Sequence, residues 1–102
     1  MTQENESGAI RIEVLTPEGP ALKTRASAFT LNTALGRMGV MKGHAPLAAL
    51  VEPGDLIWTT EAGEHRMELG RGFLELDNDR ATILVEQAVP EEAKEQRGMK
   101  KL

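Results

Sequence analysis

The chain has 102 residues, enough for one domain, and 40% hydrophobic with 27% charged residues fits a globular protein rather than a disordered one. A net charge of −4 argues against a nucleic-acid binder, which needs a basic stripe to neutralise phosphates. With no cysteine, disulfide frameworks, thiol catalysis and Cys-bound zinc are excluded.

Residues 1–8 are polar and acidic, read as a flexible leader, and hold no apolar core for a signal peptide. No apolar run approaches the roughly 18 residues needed to span a bilayer as a helix, so membrane association is expected only through a partner. Ile10-Arg11-Ile12-Glu13-Val14 alternates apolar and charged, the period of a strand with one buried face. Pro17-Glu18-Gly19-Pro20 turns the chain. A second extended stretch is predicted from Leu22 to Leu31, with Ala26, Ala28 and Thr30 on one face.

Glycines 36, 39 and 43 and Pro46 predict loops around a very short strand at Val40-Met41. Strands are then expected at Leu47 to Val51, Asp55 to Thr60, His65 to Leu69, Phe73 to Leu76 and Ala81 to Val85. Glu52-Pro53-Gly54, Glu61 to Glu64 and Asp77-Asn78-Asp79 supply the turns. Many short strands at this spacing predict an all-β fold, an antiparallel sandwich or barrel, over residues 9–89. Pro90 with Glu91 and Glu92 suits the start of a helix, so residues 90–102 are expected to form a short helical or frayed tail.

Three constellations test for chemistry. Asp77-Asn78-Asp79 opens like a calcium loop, but the sixth and twelfth positions are Thr82 and Ala88 rather than Gly and Glu. The glycine-rich run from Gly36 to Gly43 carries Lys42 before Gly43 and no following Ser or Thr, against the phosphate-loop pattern. His65 reads as a solvated hairpin residue, and His44 as a rigid turn residue able to meet a partner. No metal, cofactor or catalytic residue is predicted. A stand-alone carbohydrate-binding sandwich is the competing reading, weakened by one Trp, two Phe and no Tyr to build aromatic platforms. Phe73-Leu74 with Leu76, and Ile83-Leu84-Val85, are apolar on both strand faces, which suggests a covered outer surface.

The run Gly36-Arg37-Met38-Gly39-Val40-Met41-Lys42-Gly43-His44-Ala45-Pro46-Leu47 closely resembles the G-x-x-G-V-L-P-G-H-A-P-L hallmark of F-type ATP synthase epsilon subunits. Ile12 to Gly19, Gly70 to Leu76 and Ala81 to Val85 resemble further strands of that family in the same order. The resemblance implies a two-sheet β-sandwich and a non-catalytic rotor subunit of the central stalk. It would couple c-ring rotation to gamma in a proton- or sodium-translocating complex, peripheral on the cytoplasmic side of a bacterial inner membrane. By the same resemblance Arg37 and Met38 fall where the family touches the c ring, and His44, Ala45, Pro46 and Thr16 where it faces gamma. Asn32 and Lys42 stand where proline is usual, Arg37 where an acidic or polar residue is, and Arg71 where glycine is. Family members usually continue into a helical pair that restrains ATP hydrolysis, and the resemblance implies that this chain lacks that element.

Overall fold

The structure is a computed structural model, and it describes residues 9–91. Ten strands are formed: β1 Ile10–Thr16, β2 Gly19–Ala26, β3 Ala28–Thr33, β4 Gly36–Met41 and β5 Leu47–Val51. They continue with β6 Gly54–Thr60, β7 Gly63–Leu69, β8 Gly72–Asp77, β9 Arg80–Val85 and β10 Ala88–Pro90. Hydrogen bonding follows the path β10-β7-β6-β3-β5-β8-β9-β1-β2, with β4 on the free side of β3. Strand β3 joins the two layers of a sandwich. Its first half pairs with β6 from Ala28 to Thr30, while Thr33 alone pairs with Val51 of β5. Layer one is therefore β4, β3, β6, β7 and β10; layer two is β5, β8, β9, β1 and β2.

Between the layers lies a core made by strict alternation. Ile10, Ile12 and Val14 of β1, Leu74 and Leu76 of β8, and Ala81, Ile83 and Val85 of β9 are buried, while their neighbours along each strand are more exposed. Phe29, Leu31, Val40, Leu56, Trp58, Met67 and Leu69 complete it from layer one. Burying these side chains is the main favourable term, worth about 1.5–3 kcal/mol for each large one.

Three hairpins share one local device. Thr16-Pro17-Glu18-Gly19, Thr33-Ala34-Leu35-Gly36 and Thr60-Glu61-Ala62-Gly63 each pair the threonine with the glycine across the ladder. Each glycine takes a positive φ of 113–124°, which favours a residue without a Cβ. Each threonine hydroxyl accepts an N–H from inside its own turn, from Glu18, Leu35 and Ala62 respectively. The fourth hairpin uses Asn78 and Asp79 at φ 52° and 58°. That is the two-residue turn in which Asn and Asp tolerate the left-handed region.

Four expectations are corrected. Residues 32–46 are not loops around a short strand, because β4 runs six residues from Gly36 and pairs fully with β3. Cross-strand pairing outweighs the low strand propensity of its two glycines. The stretch from Leu22 to Leu31 breaks at Ser27, whose N–H donates to Thr59 O at 2.9 Å. The alternation shifts there, so Ala26 faces the core but Ala28 and Thr30 do not; Phe29 and Leu31, the larger apolar side chains, take the inward positions. One strand pair, β1 with β9, is parallel in an otherwise antiparallel fold. Pro90, read as a helix start, closes β10 opposite Met67, where an edge strand tolerates a residue without an N–H, and the helical conformation begins one residue later, at Glu91. The leader and residues 92–102 of the expected tail lie outside the described residues.

Candidate docking surfaces

Among the described residues no group of three or more His, Asp or Glu is placed to hold a metal ion. What the fold presents instead are two ends and two outer faces.

At one end the β3–β4 hairpin projects Leu35, which is 86% exposed. Alternation sends its two sequence-predicted contact residues in opposite directions. Met38 is half-buried and packs against the core, so only part of its side chain is open to a partner. Arg37 lies outward across layer one. Its Nη1 donates to Asn32 Oδ1 at 2.9 Å and to Asp55 O at 2.8 Å, and its Nη2 donates to Thr30 Oγ1 at 2.8 Å. Asn32 in turn donates from Nδ2 to Pro53 O at 3.1 Å. Two residues that depart from the family pattern thus bind each other at directly paired ladder positions. The guanidinium ties β4 to β3 and β6 and has a fixed place. We expect Arg37→Ala to cost about 1 kcal/mol, small because the group is exposed, and to lower Tm by about 4–8 °C. Thermal melts check this.

The opposite end carries the second candidate segment. His44 is half-buried, and Ala45 and Pro46 are exposed. Gly43 takes φ 88° and donates its N–H to Asp79 Oδ1 at 2.7 Å. The His44 N–H reaches Met41 O at 3.1 Å, and its Nδ1 lies 2.8 Å from Ala45 O, which places a proton on Nδ1. Asp79 also accepts the Arg11 N–H on its backbone oxygen at 2.9 Å. One turn residue therefore holds both the His44 loop and the start of β1. Asp79→Ala is expected to free the Gly43 amide, seen as faster hydrogen exchange there, at a cost of about 2–3 kcal/mol, the lost hydrogen bond plus alanine at a positive φ.

Thr16 does not join His44. Strand β1 ends beside the end of β9, with Leu15 opposite Leu84, whereas the His44 loop leads into Leu47 at the other end of layer two. The Thr16 hydroxyl is used within its own turn, donating to Gly19 O at 3.1 Å. His65 also differs from the solvated residue expected. It stacks on Trp58, ring centroids 5.5 Å apart at 21°, and its Nε2 bonds Thr60 Oγ1 at 2.9 Å.

The outer face of layer two holds what single residues in the sequence did not reveal. Leu50, Phe73 and Leu84 are 59, 41 and 48% exposed. The register sets Leu50 opposite Phe73, Phe73 opposite Leu84, and Leu84 beside Leu15. They form one apolar row across β5, β8, β9 and β1. A groove of about 480 Å³ borders it, lined in part by Leu15, Thr16, Pro17, Arg71 and Leu84. The two-faced apolar strands were the signal for this row, but the neighbours of each residue required the register. Leu35 was missed because its hairpin was read as loop.

The comparisons agree with this architecture. Residues 9–91 match the family described as the ATP synthase delta/epsilon chain, β-sandwich domain. The ATP synthase epsilon chain of Citrifermentans bemidjiense is 36% identical over 79 residues, covering 78% of this chain and 57% of that one. That of Desulfitobacterium hafniense is 31% identical over 86 residues, 84% of this chain and 65% of that one. The match thus spans less than two-thirds of the length of these curated relatives. Among solved structures, a chain of the Euglena gracilis mitochondrial ATP synthase (OSCP/F1/c-ring) superposes with a TM-score of 0.79 at 25% identity, covering 92% of this chain and 61% of that one. A chain of the Tetrahymena thermophila mitochondrial ATP synthase central stalk and c-ring shares the fold, with a TM-score of 0.65 at 16% identity over 81% of this chain and 67% of that one. With its sandwich, its hallmark hairpin and loop, and these matches together, the chain belongs to the ATP synthase delta/epsilon chain β-sandwich family.

Proposed function

We propose that this chain is a non-catalytic rotor subunit of the central stalk of an F-type ATP synthase, linking rotation of the c ring to gamma. The observation that carries the reading is the apolar row of Leu15, Leu50, Phe73 and Leu84. A solitary sandwich normally turns polar side chains outward, and a contiguous exposed apolar strip marks a covered surface. Gamma covers this face. Thr16 borders it at one end and His44, Ala45 and Pro46 at the other, so both segments meet a partner lying along the layer without touching each other. The hairpin end, with Leu35 at its tip and Arg37 held behind it, faces the c ring. Membrane association follows from that contact, on the cytoplasmic side of a bacterial membrane.

A carbohydrate-binding module finds no support. Trp58 and Phe29 are core residues, leaving Phe73 as the one substantially exposed aromatic among those described. The test is affinity purification of the tagged chain from native membranes. Gamma and the c ring are expected in stoichiometric amounts, and recovery of the chain alone and monomeric would overturn the reading.

A further inference from the structure

The loop that carries His44 is restrained along most of its length. Met41, Lys42, Gly43 and His44 form a turn closed by the His44 N–H on Met41 O at 3.1 Å. Gly43 takes φ 88° and Lys42 has no positive φ, which makes it a type II turn. Beyond it, His44 Nδ1 donates to Ala45 O at 2.8 Å. Ala45 precedes Pro46 and is held to extended backbone, and Leu47 enters the ladder opposite Leu76. The soft link is the peptide between Lys42 and Gly43. Turning it over by roughly 150–170° converts a type II turn into type I without opening the closing hydrogen bond. Proline is common at the second position of such turns, where its ring fixes φ, but Lys42 stands there.

That flip reverses the direction of the Gly43 N–H, and this is the group gripped from outside the loop. It donates to Asp79 Oδ1 at 2.7 Å, from 36 positions away in sequence. A carboxylate acceptor makes the bond stronger than a neutral one. Asp79 is itself fixed, at φ 58° in the β8–β9 turn, with its backbone oxygen on the Arg11 N–H at 2.9 Å. We infer that Asp79 is the positioning residue of the partner-facing loop. Its carboxylate holds the Lys42–Gly43 peptide in the one orientation that presents His44, Ala45 and Pro46, the restraint that a proline at position 42 would otherwise supply. This rests on the reading that gamma meets the His44 segment. Without Asp79 the loop divides between two turn forms, and a partner that fits one of them binds more weakly by the fraction lost.

The informative variant is Asp79→Gly. Glycine accepts the positive φ, and Asn-Gly is a favoured two-residue hairpin turn, so the acceptor is removed while the β8–β9 hairpin is kept. Lys42→Pro supplies the φ restraint by another route, and Met41, an extended strand residue, accommodates a following proline. In the full chain alone, hydrogen exchange of the His44 amide reports the closed turn. Asp79→Gly is expected to speed it about fivefold, and Asp79→Asn, which keeps Oδ1, by less than about twofold. Adding Lys42→Pro to Asp79→Gly should return it to near the wild-type rate. Affinity for purified gamma should fall about fivefold with Asp79→Gly, and by less than about twofold when the same change is made in the Lys42→Pro background. Lys42→Pro alone measures what the lysine itself contributes. Unchanged His44 exchange in Asp79→Gly would overturn the inference whatever gamma does. Equal losses of affinity in the two backgrounds would also overturn it, by showing that Asp79 touches gamma directly. If exchange changes as expected but gamma binds wild type and Asp79→Gly alike, the positioning role is wrong and the gamma reading stands. If the wild-type chain does not bind gamma, both fail.

Discussion

Replacing Phe73 and Leu84 together by aspartate is expected to weaken the proposed association with gamma about a hundredfold or more, while the isolated domain keeps its fold. The two side chains are cross-strand partners at the centre of the apolar row, and residues at such centres carry most of an interface's binding energy, about 2 kcal/mol or more each. A loss of about 2.7 kcal/mol is already a hundredfold, and two buried carboxylates without partners add a desolvation cost. Folding is affected less, because both side chains face away from the core and are already 41% and 48% exposed. A fall in Tm of no more than about 5–10 °C is expected from the lost strand propensity and cross-strand contact. Affinity by titration calorimetry with gamma, alongside thermal melts, separates the two effects. Undiminished binding by a folded double variant would remove this face from the interface.

Gly72→Ala is expected to be the most damaging single methyl group, destabilising the domain by about 3 kcal/mol or more. Gly72 sits on a central strand, paired with Val51 on one side and Val85 on the other. A Cβ there meets the carbonyl oxygen of Leu84 within bonding range and lies 2.7 Å from both Cα and Cγ1 of Val85. The first two are backbone atoms inside the β8–β9 ladder, so relief requires the ladder to shift. For a domain of this size that corresponds to a fall in Tm of roughly 12–24 °C. Gly39→Ala is the matched contrast. Its Cβ finds only Thr30 Cγ2 at 3.6 Å, an ordinary contact, and Gly39 has no positive φ. That variant should melt within about 4 °C of wild type. Equal melts for the two variants would show that close approach at Gly72 is not what selects glycine.

These two glycines also show what could be read before folding and what could not. Gly39 lies in the hallmark run that carried the family resemblance, yet its structural demand is mild. Gly72 has a severe demand that no local pattern announced, because the obstructing atoms belong to Leu84 and Val85 on another strand. The repeated Thr-x-x-Gly hairpins are the reverse case. Thr16 to Gly19, Thr33 to Gly36 and Thr60 to Gly63 are short-range devices fully present in the sequence, and reading the middle one as a turn would have recovered β3, β4 and the exposed tip at Leu35. Glycines 36 and 39, poor strand formers, mask β4 in the local sequence pattern.

The same division holds for the surfaces. By itself the sequence determined the all-β class, every strand from β5 to β9, the family, and the presence of apolar residues on both faces of β8 and β9. Those are properties of consecutive residues, since alternation and turn chemistry act over a few positions. Only the tertiary structure decided that Met38 faces the core, that Arg37 is bound by Asn32, that Thr16 and His44 stand at opposite ends, and that Leu15, Leu50, Phe73 and Leu84 form one row. Each of these depends on which residue lies across a ladder, and register is set by how two layers bury their inward faces against each other, a condition that no single strand contains.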